Sequence, residues 1–181
     1  MDEVARRQGA AFDTAPADAL VARLRLGTEP VLLAKPLTMM NLSGEAVGAL
    51  ARYYKVDIGD LLVVADDVNL PLGRLRARAR GSAGGHNGFK SVTQHLGSDA
   101  YARLRVGVGR GDARRDLADH VLATFAPDER PVIEEAIAAA ADAVALFVAE
   151  GIAPVMNRFN APPATEERSE DSTQREKDSQ S

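Results

Sequence analysis

The alternation of apolar and polar residues near the start of the chain predicts a β-hairpin. Two apolar-rich runs, 20–26 and 30–34, are separated by Gly27-Thr28-Glu29, and a glycine-containing turn between two such runs is typical of antiparallel strands. Pro36 lacks a backbone N–H and cannot extend a strand ladder. We therefore expect the second strand to end there.

A helix is predicted next, because apolar residues recur at helical spacing between 45 and 54. Asn41 and Ser43 precede it, and either side chain can cap its N-terminus. Asn41 also lies where a strand gives way to a helix, which is where α/β folds place binding groups. The sequence leaves both interpretations of Asn41 open.

A continuous apolar run, 61–65, predicts a strand that is buried on both faces, and Asp66 and Asp67 follow it directly. The carboxyl ends of strands line the crevice of open α/β sheets, which favours a functional role for one of the two carboxylates. The alternative is an Asx turn that leads into the next strand.

Arginines alternate with small apolar residues in that next strand, so their guanidinium groups are predicted on one face, about 6.6 Å apart. A row of like charges is unfavourable unless an anion lies across it, and guanidinium binds phosphate well. A strand predicted over 101–109 carries two more arginines. A polyanion partner and a salt-bridged solvent face explain this charge equally well. The arginines concerned are Arg74, Arg76, Arg78, Arg80, Arg103 and Arg105.

A glycine-rich loop, 81–88, carries His86 and Asn87 and leads into a helix predicted over 89–96. Glycines before a helix let the backbone approach an anion closely. The loop is not a P-loop, because Phe89 interrupts the Gly-Lys pair that the pattern requires. Taken alone, His86 is more typical of a hydrogen-bonded structural histidine than of a catalyst.

The C-terminal part of the chain is predicted to be helical and then disordered. A short helix over 117–122 contains His120, a long amphipathic helix spans 127–150, and a terminal helix ends at 159. From 161 onward the chain has no large apolar residue and is rich in charge, which is typical of disorder.

Composition limits the remaining possibilities. The chain has 181 residues, 45% of them hydrophobic, which predicts one domain (1–160) followed by a polar, acidic tail (161–181). No apolar run is long enough to span a membrane, and no secretory signal is visible at the N-terminus. The absence of cysteine excludes disulfides, and three scattered histidines give no metal-ligand spacing. We expect a cytoplasmic protein.

Four stretches, taken in order, resemble the successive signatures of bacterial-type peptidyl-tRNA hydrolases. The resemblance covers the chain from Met1 to about Asn160, and the order of the four is far more specific than any one of them. They are Lys35-Pro-Leu-Thr-Met-Met-Asn-Leu-Ser-Gly44, Asp66-Asp-Val-Asn-Leu-Pro-Leu-Gly73, Gly81-Ser-Ala-Gly-Gly-His-Asn-Gly-Phe-Lys-Ser91 and Arg103-Leu-Arg-Val-Gly-Val-Gly109.

The resemblance implies an α/β fold: a single three-layer domain with a mixed, twisted central sheet flanked by helices, from which the family's first strand is absent. It also implies hydrolysis of the ester between a peptide and the 3′ end of tRNA, in translation and ribosome rescue, by a monomer that needs no metal or cofactor.

The resemblance also assigns roles to residues. Asp66 matches the carboxylate that orients the catalytic histidine, and Asn41 and Asn87 match asparagines that bind the terminal adenosine and peptide or position the water. The other implied contacts are Met39 beside the site, His86 in its glycine-rich wall, and Arg76, Arg78 and Arg105 on tRNA phosphate.

The family's opening strand, its Gly-x-x-Asn-Pro-Gly loop and its Thr-Arg-His-Asn stretch, whose histidine is the general base, do not occur in this sequence. We therefore expect this chain to be an inactive fragment whose true start lies upstream, with strand groups left unpaired in its sheet. A non-catalytic RNA-binding paralogue is the alternative, although the retained Asn41, Asp66 and Asn87 do not favour it. A nucleotide-binding enzyme is disfavoured by the interrupted P-loop pattern.

Overall fold

A computed structural model describes residues 1–110 and 124–161 of the protein. The helix predicted over 117–122, with His120, and all but the first residue of the predicted tail lie outside this range. The strands are β1 (Asp13–Thr14), β2 (Ala19–Leu26), β3 (Glu29–Pro36), β4 (Leu62–Asp67), β5 (Leu75–Arg78) and β6 (Ala102–Gly107). The helices are α1 (Asp2–Arg7), α2 (Ser43–Tyr54), α3 (Asn87–Leu96), α4 (Arg130–Glu150) and α5 (Ile152–Phe159), with single 3₁₀ turns at Met40–Leu42 and Ile58–Asp60.

The first sheet consists of β1, β2 and β3, all antiparallel. The β2–β3 pair is the predicted hairpin, which the structure confirms. Its two-residue turn begins at Gly27, whose φ of +61° is the left-handed value that a type II′ turn requires at that position. Pro36 ends β3, as its missing N–H predicts.

The second sheet has the order β4-β6-β5, in which β6 is parallel to β4 and antiparallel to β5. The predicted strand with four arginines is shorter than expected and keeps only Arg76 and Arg78. Arg74 lies just before it, and its guanidinium donates to the backbone carbonyls of Asn160 and Ala161 just past α5.

Helices cover both faces of the two sheets, which confirms the predicted mixed α/β class with three layers. On one side, α2 packs on Val21 and Ala19, and α3 packs on alternate residues of β4. On the other side, α4 packs on Leu33 of the first sheet and Leu104 of the second. The expected single central sheet is nevertheless found as two, because β3 and β4 are each paired along one edge only.

Candidate functional site

Two adjacent aspartates at the end of β4 have different surroundings. The Asp67 carboxylate is buried, accepts a hydrogen bond from Nη1 of Arg105 at 2.9 Å and accepts a second from the backbone N–H of Asn69 at 2.8 Å. Asp66 is half-buried and makes no side-chain hydrogen bond or ion pair with the residues that the structure describes. The predicted Asx turn therefore belongs to Asp67, while Asp66 stays available to a ligand.

The ionisation of Asp67 depends on its partners. Burial opposes the charged form, but the Arg105 guanidinium and the Asn69 amide outweigh burial and hold the pKa of the Asp67 carboxyl below its ordinary value. Asp67 is thus a charged, structural anchor for Arg105.

His86 caps helix α3. Its Nδ1 accepts a hydrogen bond from the Phe89 N–H at 3.3 Å, and its ring lies 4.8 Å from the Phe89 ring. Burial lowers the pKa of His86, with Asp66 acting in the opposite direction. A neutral imidazole with an accepting Nδ1 carries its proton on Nε2, so the basic nitrogen of this ring is already engaged. The sequence-based expectation of a structural histidine agrees with this geometry.

An open cavity of about 1730 Å³ lies between the two sheets and is called here the inter-sheet cavity. Its walls are the strand segments 29–34 and 61–66, and its polar lining includes Thr38, Asp66 and His86. The Thr38 hydroxyl is buried and has no hydrogen-bond partner among the described residues. The structure therefore brings Asp66 and His86 to one cavity. Thr38 also lines this cavity; it lies within the motif 35–44, but the sequence analysis did not single it out as a site residue.

Close approach of the Met40 loop to helix α3 forms the wall beside His86. A Cβ on Gly88 would come within 2.6 Å of the Met40 sulfur and 2.9 Å of Cε1 of His86, so a larger residue would have to displace these two side chains. Met40 was also missed in the sequence, where its neighbour Met39 was chosen. Met39 is 73% exposed and Leu37 is 57% exposed, so an apolar surface flanks the cavity.

Asn41 and Asn87 are both exposed and adjoin residues of the cavity wall. Asn41 lies in the 3₁₀ turn before α2, and Asn87 is the first residue of α3. The prediction that Asn41 or Ser43 caps α2 is wrong, because the helix has no side-chain cap and the Ser43 hydroxyl donates to the Met40 carbonyl instead. Both amides are thus accessible to a ligand, and their roles stay predictions.

The arginines of β5 and β6 lie on one face of the second sheet. Arg76 is directly opposite Arg105, and Arg78 is directly opposite Arg103. The β5 arginines are exposed, whereas those of β6 are covered by α3 and by the glycine-rich loop. Arg105 is paired with Asp67, so the accessible positive charge on this face comes from Arg76 and Arg78. Phosphate binding by these residues and by Arg105 stays a prediction.

Arg103 is buried, with 2% of its surface exposed. Its guanidinium stacks on Tyr101 at 4.4 Å and on Phe89 at 5.3 Å, and its Nη1 donates to the Ser82 carbonyl at 2.7 Å. Arg105 also donates to this loop, through the Ala83 carbonyl at 3.1 Å. The two β6 arginines therefore hold the loop that carries His86, a role that strand alternation alone did not reveal.

Residues 1–110 and 124–161 contain neither a metal cluster nor a membrane-spanning helix. No group of three or more histidine and carboxylate side chains in these segments is arranged to hold a metal ion. None of the helices described there is long and apolar enough to cross a lipid bilayer.

Comparison with known proteins supports one family over most of the chain. The family model described as peptidyl-tRNA hydrolase matches residues 1–169. The peptidyl-tRNA hydrolase of Brevibacillus brevis is 50% identical over 143 residues, which is 79% of this chain and 76% of that protein. The peptidyl-tRNA hydrolase of Symbiobacterium thermophilum is 46% identical over 162 residues, 88% of this chain and 86% of the other.

The fold leads to the same family. The crystal structure of peptidyl-tRNA hydrolase from Acinetobacter baumannii superposes with a TM-score of 0.81 at 27% identity, covering 88% of this chain and 82% of the other. The polar residues at the inter-sheet cavity thus lie on a fold shared with these hydrolases. This chain belongs to the peptidyl-tRNA hydrolase family.

Proposed function

We propose that this protein hydrolyses the ester that joins a peptide, or an N-blocked amino acid, to the 3′ end of tRNA, and so releases free tRNA for translation. The observation that carries the proposal is the position of Asp66, a carboxylate without an ion-pair partner among the described residues, which lines an open cavity together with His86. The neighbouring Asp67 is committed to Arg105, so the site has one carboxylate for structure and one for chemistry.

The reaction needs a water that attacks the ester carbonyl and a group that stabilises the negative charge on the carbonyl oxygen. The Asp66 carboxylate can accept a hydrogen bond from that water or from a base that activates it. The amide N–H groups of Asn41 and Asn87 are suitable donors to the developing oxyanion. The described site holds no free base with a pKa near 7, because Nδ1 of His86 is engaged, so we expect slow turnover by this chain alone.

The two parts of the substrate have complementary surfaces available. The exposed side chains of Leu37, Met39 and Met40 offer apolar contact to a peptide. Arg76 and Arg78 offer guanidinium donors to tRNA phosphates, which supports tRNA binding at the exposed face of β5. A substrate of translation is met in the cytoplasm, where we propose that the protein acts as a monomer; light scattering at working concentration tests the oligomeric state.

The experiment measures binding and turnover on one preparation of N-acetyl-aminoacyl-tRNA, with unblocked aminoacyl-tRNA as the control substrate. We expect release of tRNA from the blocked substrate and a rate at least about 100-fold lower for Asp66→Asn, with affinity for tRNA retained. Binding of the blocked substrate without release of tRNA would exclude the proposed hydrolysis and leave RNA binding as the function.

A further inference from the structure

Strand β5 is the shortest strand of the second sheet and lies at its edge. It has four residues, and among the strands that the structure describes it pairs only with β6. Arg76 and Arg78 lie on its exposed face, whereas Leu75 and Ala77 are buried on the other. A short strand that is paired along one edge frays easily. The position of the two arginines therefore depends on what holds the other edge of β5.

The hydrogen bonds of Arg74 show which backbone groups of β5 face that other edge. The Arg74 carbonyl accepts a hydrogen bond from the Gly107 N–H at 2.6 Å, which directs the even-numbered residues of this segment towards β6. The N–H and C=O groups of Ala77 therefore point away from β6. Because Ala77 is fully buried, these two groups need partners from the protein.

The Asn160 side chain supplies both partners. Its Oδ1 accepts a hydrogen bond from the Ala77 N–H at 2.7 Å, and its Nδ2 donates to the Ala77 carbonyl at 3.0 Å. These two groups belong to the two planar peptide units that flank Ala77. One unit joins Ala77 to Arg76, and the other joins it to Arg78. A single amide side chain therefore holds the backbone on both sides, where the two arginines are attached.

The Arg74 guanidinium holds Asn160 in turn. Its Nη1 donates to the Ala161 carbonyl at 2.7 Å, and its Nη2 donates to the Asn160 carbonyl at 2.8 Å. Arg74 forms no ion pair with the described residues and uses its planar fork for two carbonyls instead. The four hydrogen bonds made by Arg74 and by the Asn160 side chain are called here the β5 edge contact.

Helix α5 fixes the β5 edge contact to the core of the protein. Its Val155 is fully buried in the same apolar cluster as Leu75 and Ala77 of β5. The Asn160 N–H also donates to the Met156 carbonyl at 3.1 Å and so continues the last turn of this helix. The outer edge of β5 is therefore held by a residue that is itself anchored.

We propose that Asn160 and Arg74 are positioning residues for tRNA binding. By holding the outer edge of β5, they fix the spacing and direction of Arg76 and Arg78. Phosphate groups then meet donors that are already ordered, so less conformational entropy is lost on binding. The inference rests on the proposed contact of Arg76 and Arg78 with tRNA, and it does not require Asn160 or Arg74 to touch the RNA.

Two substitutions that leave the net charge unchanged test the proposal in the full chain. Asn160→Leu keeps nearly the shape of the side chain and removes both hydrogen-bonding groups, and Arg74→Lys keeps the charge and loses the planar fork. Filter binding of N-acetyl-aminoacyl-tRNA at several salt concentrations measures their effect. We expect each substitution to weaken binding about three- to tenfold and to reduce the slope of log K against log salt by about one. A role in stability alone would leave that slope unchanged and would overturn the proposal.

Asn157→Leu is the matched control for Asn160→Leu. Asn157 is an exposed residue of the same helix, and its side chain makes no hydrogen bond with the residues that the structure describes. Its replacement should leave both the affinity and the salt slope unchanged. A loss of affinity as large as that of Asn160→Leu would show that any leucine in this helix weakens binding, which would contradict a role for the β5 edge contact.

A double-mutant cycle shows whether Asn160 acts through the two arginines. Arg76→Gln and Arg78→Gln together remove both guanidinium groups, and in that background Asn160→Leu should weaken binding by less than about twofold. An undiminished further loss would mean that Asn160 acts by another route, and the proposal would fall.

The same cycle separates this inference from the proposed function. If the two glutamines leave tRNA affinity unchanged, the proposed phosphate contact is wrong and the positioning role falls with it. If the two glutamines weaken binding and Asn160→Leu does not, only the positioning role is wrong. A chain that binds the blocked substrate and releases no tRNA would contradict the proposed hydrolysis and leave the positioning role intact.

Hydrogen exchange measures the order of β5 directly. In Asn160→Leu, the amides of Arg76, Ala77 and Arg78 should exchange at least about tenfold faster, while the amides of the β2–β3 hairpin keep their rates. If the hairpin also exchanges faster, Arg74→Lys provides the same comparison with a milder change. Unchanged exchange at β5 would show that the β5 edge contact does not order this strand, and would overturn the proposal.

Discussion

The guanidinium of Arg105 donates a hydrogen bond to the Asp67 carboxylate at 2.9 Å, and this contact separates the roles of two adjacent aspartates. Asp67 and Arg105 are 8% and 15% exposed at their side chains, so water screens the pair little. Asp66 has no such contact among the described residues and lines the inter-sheet cavity.

Replacement of the two aspartates should therefore give opposite results. Asp67→Asn leaves a buried guanidinium without its counter-charge, which costs about 2–4 kcal/mol and lowers Tm by about 5–10 °C. Asp66→Asn should leave Tm within about 1 °C and reduce turnover by at least about 100-fold. Thermal melting and ester hydrolysis, measured on both variants, test this; equal losses of Tm would contradict the division of roles.

The same pair predicts how stability depends on pH. The pKa of Asp67 is lower in the folded protein than its ordinary value of 3.8, so the folded state binds fewer protons than the unfolded state near that pH. The stabilisation is complete above that value and is lost as pH falls through the folded-state pKa.

Urea unfolding between pH 7 and pH 3 should therefore show a gap in the free energy of unfolding between the wild type and Asp67→Asn that narrows below about pH 4. A gap that stays constant over this range would mean that the carboxylate charge is not what stabilises the fold.

Local patterns in the sequence predicted the strands and helices well, but they did not predict which faces of the strands are buried by helices. The hairpin followed from Gly27 between two apolar runs, which is local turn chemistry. Strand alternation predicted one face for Arg76 and Arg78, and both are exposed as expected. Arg103 follows the same alternation but is buried. Alternation shows which residues share a face of a strand, but it does not show whether a helix covers that face.

The division of the sheet is likewise a non-local result. An apolar run such as 61–65 predicts that a strand forms. It does not predict the neighbour of that strand, because strand pairing joins segments that are far apart in the chain. Motif order singled out Asp66 and His86, which line one cavity, and their roles stay predictions. Thr38 and Met40 were not predicted, because a motif does not show which of its residues turn towards the cavity.

His86 stabilises helix α3 by accepting a hydrogen bond from the Phe89 N–H as its N-cap residue. Two replacements of His86, one that can cap the helix and one that cannot, test this role. His86→Ala loses the cap and should reduce the free energy of unfolding by about 1 kcal/mol. His86→Asn supplies another good capping side chain and should retain most of the stability. Denaturant unfolding of the two variants measures the difference; equal losses would show that packing on Phe89, not capping, is what stabilises the helix.

Charge reversal on the exposed face of β5 tests the contact with phosphate. Arg78→Glu should weaken tRNA binding and reduce the slope of log K against log salt by about one. Arg6→Glu is the matched control, because Arg6 is 73% exposed on α1, which packs against α4 on the opposite side of the sheets. Filter binding at several salt concentrations measures both slopes, and an unchanged slope for Arg78→Glu would exclude phosphate contact by this strand.

The crossing of α2 over α3 depends on the absence of a side chain at Gly44. A Cβ at this position would overlap the backbone carbonyl of Ser91, and the Gly44 N–H donates to the Ser91 hydroxyl at 2.9 Å. Gly44→Ala must push the helices apart and break that bond, at a cost of about 2–3 kcal/mol that exceeds the roughly 1 kcal/mol gained in helix propensity. Gly59→Ala is the control, because no atom lies within 4 Å of the position that its methyl group would take, and its φ is ordinary. We expect a lower Tm for Gly44→Ala and an unchanged Tm for Gly59→Ala. Because α3 follows the glycine-rich loop that carries His86, turnover should also fall in Gly44→Ala if the helix crossing sets the position of that loop.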